Sequence, residues 1–142
     1  THRVEQTVRI AAPVARVWNL VADHRGMPRW LPLDTVTLER EGWPAPNGVG
    51  AERAMRGPKL NVREQVLGWE PQRSLDYRLM EGAPISCHQG RVELKPVHGG
   101  TELTWSIRYR AKFPGTSGIV RRAMDKMLGD ALPRLKKLAE SD

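Results

Sequence analysis

Cysteine is nearly missing from this chain: Cys87 is the only one, so no internal disulfide can form and nothing calls for an oxidising compartment. A cytoplasmic location is the resulting expectation. Apolar runs are short as well. None approaches the roughly 18 residues that a membrane span needs, and Thr1 to Arg9 lacks the charged-then-apolar layout of a secretion signal. His2, His24, His88 and His98 are dispersed, and neither H-E-x-x-H nor a paired-cysteine spacing occurs, so no metal site is expected. The G-x-G of Gly48 and Gly50 lacks a third glycine and leads into a strand, so no nucleotide cofactor is implied. Repeats, low-complexity stretches and long linkers are absent too. With 142 residues, 39% of them hydrophobic and 27% charged, the chain is expected to form one domain over residues 1–142.

Acidic residues are outnumbered, 16 against 23 basic ones, and the formal charge of +7 favours encounters with anionic partners such as RNA or acidic lipids. The basic residues are scattered from Arg3 to Lys137. They cluster locally only at Arg121 and Arg122 and at Arg134, Lys136 and Lys137.

Val4, Val8 and Ile10 share one parity, with Gln6 the exception, and predict a strand with one buried face over Val4 to Ile10. Pro13 suits the start of a helix because its missing N–H would be unsatisfied there anyway, and Val14, Val17, Trp18 and Val21 follow at helical spacing. Gly26, Pro28 and Pro32 around Trp30 limit any second helix to a turn or two. Strand and turn signals then alternate. Strands are predicted at Thr35 to Arg40, Ala51 to Arg56, Leu60 to Trp69, Ser74 to Met80, after Pro84 as far as Pro96, and Thr101 to Tyr109. Seven strands with mostly short connections imply an antiparallel meander, and so an α+β fold. Ser117 to Glu140 is predicted helical on the stripe of Val120, Met124, Met127, Leu128, Ala131, Leu135 and Leu138. Pro133 should bend it near Gly129 to Pro133.

In a meander the turns at Gly57 and Pro58, at Gly82 to Pro84 and at Phe113 to Gly118 gather at one end, which is the expected mouth of a cavity between sheet and helix. Parity assigns Leu75, Tyr77 and Leu79, then His88, Gly90, Val92 and Leu94, then Leu103, Trp105, Ile107 and Tyr109 to the concave face. The helix adds Val120, Ala123, Met124 and Met127. Large aliphatics crowd the closed end and polar or small groups the open one, as an amphiphilic ligand requires. On the parity of Val62 and Val66, Glu64 also points inward, where a carboxylate needs a partner, a raised pKa or a ligand. Arg53, on the parity of Ala51 and Met55, is the candidate partner across the adjacent strand. The opposite register would turn Arg63, Gln65, Leu67 and Trp69 inward instead. Cys87 and His88, as strand neighbours, point to opposite faces and cannot act as nucleophile and base.

Val8 to Asp23 (VRIAAPVARVWNLVAD), with Trp30 and Pro32, resembles the opening of the START-like SRPBCC superfamily, in particular its polyketide cyclase/dehydrase and lipid-transport branch. Val49 and Gly50 before a strand, Glu70 and Pro71 before Leu75 and Tyr77, Gly100, Thr101 and Trp105 in the last strand, and Leu132 to Glu140 (LPRLKKLAE) extend the likeness over nearly the whole chain. The resemblance implies a helix-grip fold, with two short helices after the first strand and a ligand cavity between the sheet and the last helix. It brings no universal catalytic motif, so the candidate site rests on parity. The ligand-binding set is Trp30, Arg53, Met55, Val62, Glu64, Tyr77, Leu79 and His88, continued by Gly90, Trp105, Ile107, Tyr109, Val120, Met124 and Met127. Glu64, Tyr77 and His88 are the candidates for proton transfer. Three functions follow: binding or transport of a hydrophobic small molecule such as a lipid or polyketide, a cyclase or dehydratase without metal or nucleotide cofactor, and a basic nucleic-acid or ribosome-binding module. Oligomeric state is not written in these patterns.

Overall fold

The computed structural model describes residues 1–141. Strand β1 (His2–Ile10) leads into helix α1 (Val14–Ala22) and a short 3₁₀ helix (His24–Arg29). Then come β2 (Thr35–Arg40), β3 (Glu52–Arg56), β4 (Asn61–Glu70), β5 (Ser74–Glu81), β6 (Ile85–Val97), β7 (Gly100–Ala111) and helix α2 (Ser117–Glu140). The seven strands form one antiparallel sheet in the order β1-β7-β6-β5-β4-β3-β2, so the first strand closes onto the last and the rest follow as a meander. No helix among the described residues is long and apolar enough to cross a membrane.

Alternation along the strands decides which side α2 covers. On β7, Leu103, Trp105, Ile107 and Tyr109 are buried while Arg108 and Arg110 are exposed, and on β1 Val4 and Ile10 face the same interior. α2 lays Val120, Leu128, Ala131, Leu132, Leu135 and Ala139 on that wall. Ala123, expected among them, is exposed: the stripe lies on the turns either side of it. Gln6, the polar exception on β1, faces the helix and donates from Nε2 to the Asp125 carbonyl at 3.0 Å. The C-terminal end of α2 is pinned harder. Lys136 Nζ donates to the Arg9 carbonyl at 2.9 Å, Ala11 N–H donates to Glu140 Oε2 at 2.7 Å, and Arg16 reaches the Ala139 carbonyl at 3.3 Å. α2 runs as one helix through Pro133, whose ring faces solvent.

α1 follows Pro13, as its sequence predicts, and buries Val17, Trp18, Val21 and Ala22. Asp23 then caps the 3₁₀ turn by accepting from Arg25 N–H at 3.1 Å. Trp30, Leu31 and Leu33, all buried, carry the chain to β2 beneath the β3–β4 turn.

Across the middle of the sheet Tyr77 of β5 pairs with Gly90 of β6. A Cβ on Gly90 would lie 2.1 Å from Tyr77 Cζ, so the phenol ring lies over the bare glycine backbone. Gly90→Ala is therefore expected to displace the ring and lower stability by about 2–3 kcal/mol, and Tyr77→Ala in the same chain to cancel part of that loss. Urea denaturation of the two single variants and the double variant measures the coupling. Additive losses would mean that ring and glycine do not depend on each other.

Candidate functional site

The register places Leu38, Arg53, Glu64 and Leu79 in one row across β2 to β5. Val62, Glu64 and Val66 are buried and face inward, the first of the two registers that the sequence allows. A bulge between Val66 and Gly68 then reverses the parity. Leu67 turns to solvent, and Trp69 returns inside to meet Trp18 edge-on, with ring centroids 5.1 Å apart. The first register therefore holds along β4 as far as Val66, and of the second only Trp69 turns inward.

Arg53 and Glu64 are 1% and 6% exposed, and Arg53 Nη2 donates to Glu64 Oε1 at 2.5 Å. Burial raises the pKa of Glu64, and the Arg53 charge and hydrogen bond oppose that rise. Met55 and Val62, paired across β3 and β4, form the apolar row beside them. Toward the centre of the wall, Trp105 Nε1 donates to Tyr77 Oη at 2.7 Å. Burial, then the nearby Glu64 charge, keep the Tyr77 phenol well above its usual pKa, so it stays protonated. Trp30 reaches in from the loop before β2 and meets Trp105 edge-on at 5.9 Å. Trp30, Tyr77 and Trp105 thereby form one connected network, and Arg53 and Glu64 a buried pair whose charges act on Tyr77.

The rim is built differently. β5 and β6 stop pairing at Tyr77 and Gly90 although both continue, β5 against β4 and β6 against β7, so the sheet forks there. One bond bridges the fork: Leu79 N–H donates to His88 Nδ1 at 3.1 Å. His88 faces inward on the parity of Gly90 and Val92, next to a bulge at Cys87, which has φ 51° and is exposed. Its ring lies 5.5 Å from that of Tyr77, and burial lowers its pKa to about 4. Leu79, Met124 and Met127 are half-buried and pack against the core, to which the buried Val120 also belongs. Ile107 and Tyr109 belong to the α2 side, where Tyr109 is covered by His2 at 5.4 Å. The candidate residues therefore divide into a polar cluster on β3 to β7 and an apolar wall under α2.

Two hollows lie on the surface. One, of about 340 Å³, crosses the outer face of the sheet among Arg3, Asp76, Arg91 and Arg108, and the other, of about 690 Å³, lies beside α1 near Arg16 and Leu138. Neither lies between sheet and helix, where the side chains of Trp30, Tyr77 and Tyr109 are buried. On the outer face, Arg91 is paired with Asp76 and Glu93, and Arg3 with Glu5, so basic and acidic groups alternate there. Among the described residues no three His, Cys, Asp or Glu side chains gather as a metal set. Leu38 and Gln6 also face the interior and were missed as candidates; Leu38 pairs with Arg53, and only strand pairing reveals it.

A family model for polyketide cyclase / dehydrase and lipid transport matches residues 1–140. Among solved structures, the fold is similar to a START superfamily protein from Mycobacterium smegmatis, with a TM-score of 0.84 and 16% identity over 99% of this chain and 98% of that one. It is similar as well to a protein from Thermobifida fusca, with a TM-score of 0.79 and 25% identity over 94% and 90% of the two chains. The di-domain ARO/CYC BexL of the BE-7585A biosynthetic pathway matches with a TM-score of 0.79 and 21% identity, over 96% of this chain and 46% of its own. No curated protein sequence matches.

Removing one member of the buried pair strands the other. Glu64→Gln is expected to cost about 3 kcal/mol, whereas Arg53→Met with Glu64→Leu should recover most of it, as read from urea midpoints. An undiminished midpoint in the single variant would show the pair to be solvated. His88 gives a pH dependence of known sign. Its unfolded imidazole binds a proton near pH 6.5 and its folded one only at about 4, so the unfolded chain holds more protons between those values. The stabilisation is complete above about pH 6.5 and lost as pH falls toward 4, on the order of 2–3 kcal/mol in all. His88→Leu should flatten the urea midpoint between pH 6.5 and 5; an unchanged slope would assign the effect to other groups.

Proposed function

Because the chain belongs to the polyketide cyclase/dehydrase and lipid-transport family, we propose that it binds a hydrophobic or amphiphilic small molecule of lipid or polyketide type. The binding site is the concave face beneath α2, in a single domain over residues 1–142. The observation that carries this reading is the Arg53–Glu64 pair sealed in an otherwise apolar wall. Apolar side chains of similar volume would stabilise the fold as well or better, since desolvating two charges offsets their attraction. A polar pair kept there is explained by a guest that needs it.

The guest is admitted at the fork. Leu79, His88, Met124 and Met127 are the half-buried side chains of the rim, and the single Leu79–His88 bond is what joins β5 to β6 there. The N-terminal half of α2 lacks the clasp that holds its C-terminal end to β1 and α1. Displacing these side chains makes room without breaking the sheet. The strongly anchored closed end stays in place.

A second reading is cyclase or dehydratase chemistry on the bound molecule, favoured by Glu64. Burial raises its pKa beside Tyr77, which places a proton carrier and a neutral phenol on one wall. The nucleic-acid reading draws little support from an outer face on which charges of both signs alternate.

Ligand-observed NMR with a hydrophobic probe such as acetonaphthone should show saturable one-to-one binding to the full chain. Met124→Trp at the rim should weaken it about tenfold, a loss near 1.4 kcal/mol, and Ile119→Ala on the exposed side of α2 should not. Binding that fails to saturate, or that ignores Met124→Trp, would remove the proposal.

A further inference from the structure

The formal charge of the chain is concentrated in one place. Between Glu102 and Asp125 stand Arg108, Arg110, Lys112, Arg121 and Arg122 and no acidic residue, so this stretch alone carries +5 of the +7. The remaining residues, 18 basic against 16 acidic, nearly cancel. On other parts of the surface cations are matched, as Arg63 is by Glu39 and Glu81 and Arg91 by Asp76 and Glu93. Here all five are exposed, and among the described residues only Arg121 has a carboxylate within reach, Asp125 at 4.0 Å. Arg108 also stands directly opposite Arg3 on the β1–β7 ladder, where like charges oppose the pairing. The first turn of α2 holds no acidic residue, although one there would favour the helix dipole. Stability of the fold therefore does not account for this distribution.

Two large apolar side chains stand in the same stretch. Phe113 is 55% and Ile119 71% exposed. Backbone bonds hold them near each other. The Phe113 carbonyl accepts from Thr116 N–H at 3.4 Å and from Thr116 Oγ1 at 2.6 Å, which closes a four-residue turn, and the Thr116 carbonyl accepts from Val120 N–H at 3.1 Å as α2 begins. Such a turn spans less than about 7 Å and one turn of helix about 5 Å, so the two Cα atoms lie within about 12 Å. Lys112, beside Phe113, donates its N–H to the Pro84 carbonyl at 3.0 Å and so ties this corner to the turn between β5 and β6.

We propose that the corner formed by the β7–α2 turn and the start of α2 docks on the surface of a bilayer that contains anionic lipids. Headgroup phosphates supply the counter-charges that the five cations lack, and the layer beneath them takes Phe113 and Ile119 out of water. A nucleic acid would answer the cations but leave Ile119 in water. A lipid surface adapts to a protruding turn without a matching shape, so two apolar side chains suffice to enter it. Phe113 and Ile119 lie outside the residues assigned to the guest, and the docking stands apart from the binding reading.

Cosedimentation of the full chain with vesicles tests this. Binding is expected to mixed phosphatidylglycerol and phosphatidylcholine vesicles, and at least about tenfold less to phosphatidylcholine alone. It should fall as sodium chloride rises from about 0.1 to about 0.5 M. Lys112→Glu with Arg122→Glu is expected to weaken it by more than about tenfold, and Phe113→Ser with Ile119→Ser by about tenfold. Arg134→Glu with Lys137→Glu makes the same charge change near the other end of α2, beyond the screening length, and should weaken it by less than about threefold. Every substituted side chain is exposed, and circular dichroism checks each fold. Equal binding to both vesicle types overturns the proposal, as does equal loss in the Arg134 and Lys137 variant, which would mean attraction by net charge alone. Binding that ignores Phe113→Ser with Ile119→Ser, with a single-stranded RNA bound more tightly than the mixed vesicles, assigns the corner to a nucleic acid and overturns it too. Acetonaphthone binding should be unchanged in the Phe113 and Ile119 variant, so failure of docking leaves the binding reading standing.

Discussion

A guanidinium and a carboxylate placed opposite each other on adjacent strands, both shut away from water, set the terms for this fold. The Arg53–Glu64 pair is tolerable only if β3 and β4 are aligned as they are, because a slip of one residue would turn one charge outward and leave the other buried alone. It therefore helps to specify register at the far side of the sheet, away from the strands that α2 covers. It also gives the concave face a polar floor. The aromatic network of Tyr77, Trp105 and Trp30 extends that floor toward the centre, and Gly90 supplies the gap over which the phenol lies.

The two ends of the molecule are held with unequal strength. Three hydrogen bonds fasten the last turns of α2 to the β1–α1 corner, whereas at the other end the sheet forks and an imidazole substitutes for the missing ladder. Regions with few buried contacts and few backbone bonds open first in folded proteins. The same asymmetry separates what must be rigid from what must move. Met124 and Met127, half-buried on the N-terminal half of α2, have unbranched side chains that rearrange easily.

The chain belongs to the polyketide cyclase/dehydrase and lipid-transport family and has the helix-grip architecture, and a shared fold carries many chemistries. Discrimination among them lies in individual groups. Tyr77 is held protonated, His88 is held neutral with Nδ1 already engaged, and Glu64 is engaged by Arg53. The wall thus offers hydrogen-bond donors in fixed positions more readily than it offers a free base. That favours recognition and orientation of a guest over rapid proton abstraction from it.

Much of this was legible in the residues. Alternation in the first strand and turn signals between the others located all seven strands, the long apolar stripe located α2, and the parity of Val62 and Val66 brought Glu64 inside with Arg53 as its partner. Such patterns are local consequences of backbone geometry, which repeats every two residues in a strand and every 3.6 in a helix. What needed the folded chain was everything that breaks those periods. The bulge after Val66 brings Trp69 inside, the fork between β5 and β6 leaves Leu79 N–H to bond His88, and the loop before β2 sends Trp30 to Trp105. The sequence by itself determined the elements and the faces they bury, because those follow from spacing along the chain. Only the tertiary structure decided which aromatic rings pack on one another and which buried donors are left without partners, because both depend on contacts between residues far apart in the chain.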